Sequence, residues 1–423
     1  MKQNWVIKSL SELAEIKGGK RVPKGYRLGT EPTNYPYIRV TDFNDNGSVD
    51  LNDIHYIKEE VFEQIKNYTI STKDLYISIA GTIGKTGIIP EELDGSNLTE
   101  NACKLVFKKD VEPKFVYYFT KSIDFLNQAG LNTRVAAMPK LALTRLSTIS
   151  LLFPKSLLEQ QRIVAILDEV FASLAKAKAN AEQNLQNGKE IFESYLHRVF
   201  ANKGEDWEEK NIGDICDLMT GGTPSSDKLE YYEEGEIRWL VSGDVNLGEI
   251  FDCEGRITEL GLINSNAKYL PLNSVIIALN GQGKTRGTVA MLRTKATCNQ
   301  SLVSIYPKNI QIIIPEYIFY SFKVRYQEIR KITGDSGNDR RGLNMPLIRN
   351  IKISYPKSIN KQKEYIEVFS KLSSECIKLE AIYQKKINDL EELKKSVLQK
   401  AFVGELVGTG FTPALTPTTN KTK

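Results

Sequence analysis

From Ile163 the apolar positions Leu167, Val170, Leu174, Ala177 and Ala181 follow at alternating steps of four and three, the spacing of a coiled-coil seam. An extra step of four leads to Leu185, and the seam resumes at Gly188, Phe192, Tyr195 and Val199. A second series runs Tyr365, Phe369, Leu372, Cys376, Leu379, Tyr383. It takes its own extra step to Ile387 and continues through Leu390 to Val397 and Ala401, with Lys394 standing where Phe192 would return. The pattern predicts amphipathic helices over about 160–200 and 362–403. A one-residue phase shift rotates a seam locally, and the two shifts, at 185 and 387, are 202 positions apart. Matched irregularities predict that the helices pair. The pairing residues would be Ile163, Leu167, Val170, Leu174 and Leu185 on one, and Phe369, Leu372, Leu379, Ile387 and Leu390 on the other.

The same shift relates much of the chain. Phe153–Ser156 returns as Tyr355–Ser358, Gln160 as Gln362, Asp42 as Asp244 and Pro113 as Pro315. Ahead of each long helix lie short β-like runs between Gly, Pro and Asn turns: Tyr37–Val40, Leu75–Ala80, Lys104–Phe107 and Thr148–Phe153, then Ile237–Val241, Ser274–Leu279, Leu302–Tyr306 and Asn350–Tyr355. Helices are expected over Lys114–Leu126 and Glu316–Lys331, each just after a proline. The expected fold class is α+β: two mixed α/β domains in pseudo-two-fold arrangement, joined by two long antiparallel helices that form a coiled coil. Antiparallel pairing is expected because the link from Ala201 to Trp207 is short, so the second globular segment starts where the first helix ends. The expected boundaries are 1–156, helix 157–202, 203–358, helix 359–407, and a Thr- and Pro-rich disordered tail 408–423.

Composition narrows the class. A chain of 423 residues exceeds one ordinary core, and 41% apolar residues suit a globular protein. No apolar run approaches the roughly 20 residues of a membrane span, and the start of the chain has no signal-like hydrophobic stretch. Cys103, Cys216, Cys253, Cys298 and Cys376 never fall in C-x-x-C spacing, which argues against a disulfide framework or zinc site and fits a reducing cytoplasm. A net charge of +5 is compatible with a nucleic-acid partner without requiring one. His55 and His197 stand in no catalytic motif.

Two glycine-rich segments, Gly81–Thr86 and Gly281–Thr285, look like phosphate loops, but the required first glycine is Ile79 in one and Ala278 in the other. They read better as tight turns whose Lys85 or Lys284 meets a phosphate. The chain also lacks Pro-Pro, His-Glu-x-x-His and Gly-x-Ser-x-Gly, so it carries no recognisable chemistry of its own. Loop residues that suit phosphates and base edges are Lys20, Arg21, Lys24, Arg27, Lys85 and Arg134 in the first half, and Lys284, Arg286, Arg340, Arg341 and Asn344 in the second. Arginine matches guanine and asparagine matches adenine in the major groove.

Two junctions carry a family resemblance. One is Leu141–Ile149 leading through Phe153-Pro154 to Leu158–Ile163; the other is Gly342–Asn344 and Ile348–Ile353 leading through Tyr355-Pro356 to Gln362. With the helix ends Leu196–Phe200 and Leu398–Leu406, and with Trp5 and Ile16–Gly19 repeated as Trp207 and Leu218–Gly222, the chain resembles the specificity (S) subunit of Type I restriction–modification enzymes. Lys155, Lys357 and Lys361 depart from the family's usual junction. The resemblance implies two target recognition domains, each reading half of a bipartite, asymmetric double-stranded DNA target. The helices would set the unread spacer and dock two modification subunits. Those partners would bind S-adenosylmethionine and methylate adenine N6, and restriction (motor) subunits would use ATP and Mg; this chain would hold no cofactor or metal and would not itself be an enzyme. It would work in the cytoplasm, away from membranes. The alternatives are a protein–protein scaffold with two ligand-binding heads, and a nuclease or NTPase acting alone.

Overall fold

The computed structural model describes residues 4–131, 140–281, 283–332 and 342–406. Two helices dominate, Leu157–Ala201 with 45 residues and Ile359–Phe402 with 44, each ~65 Å long at ~1.5 Å per residue. Both start earlier than their seams, because the chain turns into helix directly after Ser156 and Ser358. The Ser156 carbonyl accepts from Gln160 N–H at 3.2 Å, and Ser358 Oγ accepts from Lys361 N–H at 3.4 Å.

The chain divides into two compact units, one of described residues up to Ala181 with those from Lys385, the other Glu182–Gln384. Each long helix therefore contributes one part to each unit, and the unit boundaries fall within the helices rather than at their ends. Within the first unit, the start of the first helix packs with the end of the second: Ile163 and Leu167 share a core with Val397, Leu398, Ala401 and Phe402. Lys178 Nζ lies 2.6 Å from Glu391 Oε1. Within the second unit, Phe192 and Leu196 share a core with Phe369 and Cys376. In both units positions rise along one helix as they fall along the other, so the helical segments run antiparallel.

Of the expected pairing positions, Ile163, Leu167 and Phe369 are fully buried, and Val170, Leu174, Leu185, Leu372, Ile387 and Leu390 are half-buried. Leu379 is different, at 38% exposed. Glu380 takes the inward place, its Cγ where a Cβ added at Gly188 would just touch it, so the seam runs Cys376, Glu380, Tyr383, Ile387. The second helix thus makes its phase shift one heptad, about two turns, earlier than the apolar pattern indicates. Methylene groups of a glutamate cover apolar surface while its carboxylate stays wet.

In the first unit an antiparallel sheet has the order Ala14–Gly18, Ala102–Phe107, Leu75–Ser78, Thr86–Gly87. Three short strands, His55–Tyr56, Pro36–Ile38 and Asn97–Leu98, form a second sheet. Trp5–Ser9 pairs with Ser150–Pro154, setting Trp5 opposite Pro154. The second unit repeats this with Cys216–Thr220, Leu302–Pro307, Val275–Ala278, Val289–Leu292 and Glu249–Ile250 in its main sheet, and sets Trp207 opposite Pro356.

The helix expected over Lys114–Leu126 is two, Pro113–Thr120 and Ile123–Ala129. Ser122 causes the break: its Oγ accepts from Phe125 N–H at 3.2 Å and caps the second piece. The helix expected over Glu316–Lys331 is likewise Pro315–Val324 and Tyr326–Lys331. The strands expected to begin at Thr148 and Asn350 begin at Ser150 and Lys352, after the short helices Leu143–Thr148 and Met345–Arg349.

Buried glutamines tie each long helix to its unit. Gln160 Oε1 accepts from Glu112 N–H at 2.8 Å, while Nε2 donates to the carbonyls of Asp110 (3.1 Å) and Pro154 (2.9 Å). Gln362 repeats every contact 202 positions on, to Ile314 N–H (3.1 Å) and the carbonyls of Ile312 (2.9 Å) and Pro356 (2.8 Å). The same frame is built twice, down to individual backbone groups.

Candidate nucleic-acid interface

In the first unit, strand Ala14–Gly18 ends against the loop before Ala102–Phe107. A Cβ at Gly19 would collide with the carbonyl oxygens of Leu98 and Thr99, so only glycine lets the two backbones approach this closely. Gly221 meets the Cys298 carbonyl in the same way. This approach places the residues after each glycine beside the loop that follows the short parallel strand.

The cleft at this place in the first unit has a volume of about 650 Å³ and is lined by Arg21, Tyr26, Tyr37, Arg39, Thr82 and Glu100, among others. Arg21 Nε donates to Glu100 Oε1 at 2.5 Å, and Thr99 Oγ1 donates to Glu100 Oε2 at 3.1 Å. Partial burial works against the Glu100 charge, but hydrogen bonds led by Arg21 outweigh it and hold the carboxyl below its ordinary range. Deeper in, Arg39 donates to Asp42 Oδ1 from Nη2 (2.6 Å) and Nε (3.0 Å), and to Asp53 Oδ2 from Nη2 (3.0 Å). Its Nη1 lies 3.2 Å from His55 Nε2. The bond to Asp42 raises the guanidinium above the usual arginine value, and Arg39 in turn lowers Asp53. Tyr37 donates to the Lys20 carbonyl at 2.8 Å, and burial pushes its phenol up to about 12.

The candidate residues divide by position. Lys20 is exposed, its Nζ 5.5 Å from the Tyr68 ring centre. Arg21, Lys24 and Arg27 are exposed near the cleft, and neither Lys24 nor Arg27 forms an ion pair among the described residues. Lys85 turns inward instead: Nζ donates to the Phe43 carbonyl at 2.7 Å and stands 3.2 Å from Asp45. Its turn is held by Ser78, whose Oγ donates to the Thr82 carbonyl (2.5 Å) and accepts from Lys85 N–H (2.8 Å). In the second unit Lys284 is exposed and Arg286 half-buried. Asn344 Oδ1 caps helix Met345–Arg349 by accepting from Leu347 N–H at 3.0 Å, which makes its first role structural. Arg134, Arg340 and Arg341 lie outside the described residues.

Arg39, Asp53 and Glu100 escaped the sequence reading; Arg21 and Glu100 are 79 positions apart, and only the tertiary approach at Gly19 brings them together. Among the described residues no group of three or more His, Cys, Asp or Glu could hold a metal ion. The five cysteines are buried and free. Burial pushes the thiols of Cys103, Cys216 and Cys298 up to about 12. No described helix is long and apolar enough to cross a membrane.

Residues 2–184 and 204–392 each match the family described as Type I restriction modification DNA specificity domain. The chain is 29% identical over 221 residues to the Type I restriction enzyme EcoR124I/EcoR124II specificity subunit of Escherichia coli, covering 52% of this chain and 53% of that protein. It is 28% identical over 164 residues to the MjaIX specificity subunit of Methanocaldococcus jannaschii, covering 38% and 36%. The chain thus spans about half the length of the first of these relatives and less of the second. Among solved structures, a chain from work on complex assembly and conformational transition of the type I R-M system has a similar fold, with TM-score 0.78, 16% identity and coverage of 96% and 99%. The HsdS subunit from Thermoanaerobacter tengcongensis gives TM-score 0.63 at 16% identity, covering 96% and 98%. With one domain matched in each half over most of the sequence, the chain belongs to the Type I restriction modification DNA specificity domain family and carries that domain twice.

Proposed function

We propose that this chain is the non-catalytic, sequence-reading subunit of a Type I restriction–modification assembly. Each unit reads one half of a bipartite, asymmetric double-stranded DNA target, and the paired helices set the unread spacer. The helices also dock two modification subunits, which supply S-adenosylmethionine and methylate adenine; restriction subunits bring ATP and Mg. The domains act as 1–156 and 203–358, with 157–202 and 359–407 as connecting helices, in the cytoplasm. The observation that carries this reading is the doubled specificity domain, built on one frame with two different polar faces.

The first test is duplex affinity of the chain with its modification subunits at two salt concentrations. A DNA reader loses affinity steeply as salt rises, because phosphate contacts release counterions; a protein scaffold has no such slope. The purified chain with ATP, Mg and DNA is expected to turn nothing over. For the spacer, four residues inserted in each helix, beside Leu185 and Ile387, lengthen it by ~6 Å, on the order of two base-pair steps. A methylation map should then show a longer spacer between unchanged half-sites, and an unchanged spacer contradicts the ruler.

A further inference from the structure

Arg21 and Glu100 have a counterpart pair in the second unit. Thr223 follows Gly221 and Gly222 as Arg21 follows Gly19 and Lys20, and Gln300 precedes strand Leu302–Pro307 as Glu100 precedes Ala102–Phe107. Thr223 Oγ1 donates to Gln300 Oε1 at 2.5 Å, the same length as the bond from Arg21 to Glu100. Both pairs bridge the close backbone approach at Gly19 and Gly221. Both members of the second pair are exposed, and the Arg21 side chain is 78% exposed. One frame therefore presents a charged pair in one unit and a neutral pair in the other, at one outward position.

The hydrogen bonding within each pair orients what remains. Glu100 engages the Arg21 Nε, which leaves the end-on edge of the guanidinium, one N–H from each Nη, for another acceptor. Two parallel N–H donors match the O6 and N7 acceptors of guanine. In the second unit, Thr223 bonds to Gln300 Oε1 and so places the amide with Nε2–H as the remaining donor and the second Oε1 lone pair as acceptor. A donor beside an acceptor matches the N7 and N6–H₂ of adenine.

Resting on the function proposed above, we infer that these two pairs are specificity-determining: Arg21, held by Glu100, reads a guanine in one half-site, and Gln300, held by Thr223, reads an adenine in the other. Lys20, Lys24 and Arg27 flank the first pair as cationic groups suited to the neighbouring phosphates.

The test uses the chain assembled with its modification subunits, with methylation mapped across a genome. The double variant Arg21→Thr with Glu100→Gln transplants the second unit's pair into the first. It should change one base of one half-site from guanine to adenine and leave the other half untouched. Arg21→Ala should leave that position degenerate. An unchanged target in both variants overturns the inference. Should methylation vanish, duplex binding by the assembly decides. Loss of roughly 5- to 150-fold discrimination between guanine and its replacements, with the salt slope kept, supports base reading. A slope reduced by about one with discrimination intact makes Arg21 a phosphate contact and overturns it. Changes in both half-sites, or no salt-dependent affinity in the unaltered assembly, would instead count against the proposed function.

Discussion

The two units differ most where they are most alike. In both, the strand that begins at Leu75 or Val275 sits next to the one beginning at Ala102 or Leu302 in the same register, Tyr76 opposite Lys104 and Ile276 opposite Ser304. In the first unit the place holds a partly buried ion pair, Lys104 Nζ to Asp74 Oδ2 at 2.9 Å. In the second it holds Ser304 and Ser274, both buried. Elsewhere, Lys121 and Lys323 occupy matched helix ends, with Lys394 close enough to the first to repel its charge and the Phe192 ring centre 5.1 Å from the Nζ of the second. The junction glutamines, by contrast, share every partner. Backbone geometry is held identical where the helix joins each unit, whereas side-chain chemistry inside the sheet varies, from an ion pair in the first unit to two buried hydroxyls without hydrogen-bond partners in the second.

The comparison can be broken most strongly at the ion pair. Lys104→Met leaves the Asp74 carboxylate buried without its cation and should destabilise the first unit by about 3–5 kcal/mol in denaturant melts. The double change Lys104→Ser with Asp74→Ser installs the second unit's pair of buried hydroxyls, which cost less than an unpaired charge, and should recover part of that loss. If the double variant is as unstable as the single one, the two sheets are not interchangeable.

Next come the glutamines. Gln160→Ala and Gln362→Ala each orphan one backbone N–H and two carbonyls at a buried junction. Each orphaned group costs about 1–3 kcal/mol before water enters. Thermal unfolding should show similar losses for the two variants, and clearly unequal losses would mean that the junctions only look alike.

The smallest effect concerns the lysines. Burial, then the neighbouring Lys394, pushes Lys121 down to about 8, and burial also lowers Lys323. A lysine depressed in the folded state binds fewer protons there than in the unfolded chain between about pH 8 and its ordinary value of 10.5. Stability contributed by Lys121 therefore rises with pH across that window. Lys121→Met should remove the rise and add stability at neutral pH. Lys394→Phe, which copies Phe192, removes a like charge and adds a ring for Lys121. It should stabilise the first unit by about 0.5–1 kcal/mol and move the pH-dependent rise upward.

Much of the frame was legible from periodic and repeated signals. A seam read from residues spaced three and four apart depends on local geometry, and so does a junction repeated at a shift of 202. Leu379 misled because Glu380 can serve the seam with its methylenes, which a hydrophobic pattern does not register. The helix break at Ser122 depends on a single cap rather than on periodicity. Asn344 looked like a base reader and Lys85 like a phosphate contact because loop polarity alone does not reveal a backbone partner. The Arg21–Glu100 pair was half visible: the arginine stood in a basic loop, but its partner is brought in by a tertiary approach that only Gly19 permits.

The central claim is that one frame carries two independent readers. Replacing residues 1–150 with the corresponding segment of another family member, and mapping methylation by the assembled complex, tests it most directly. The account predicts a target in which one half-site is new and the other, with the spacer, is retained; a target altered in both halves would contradict it.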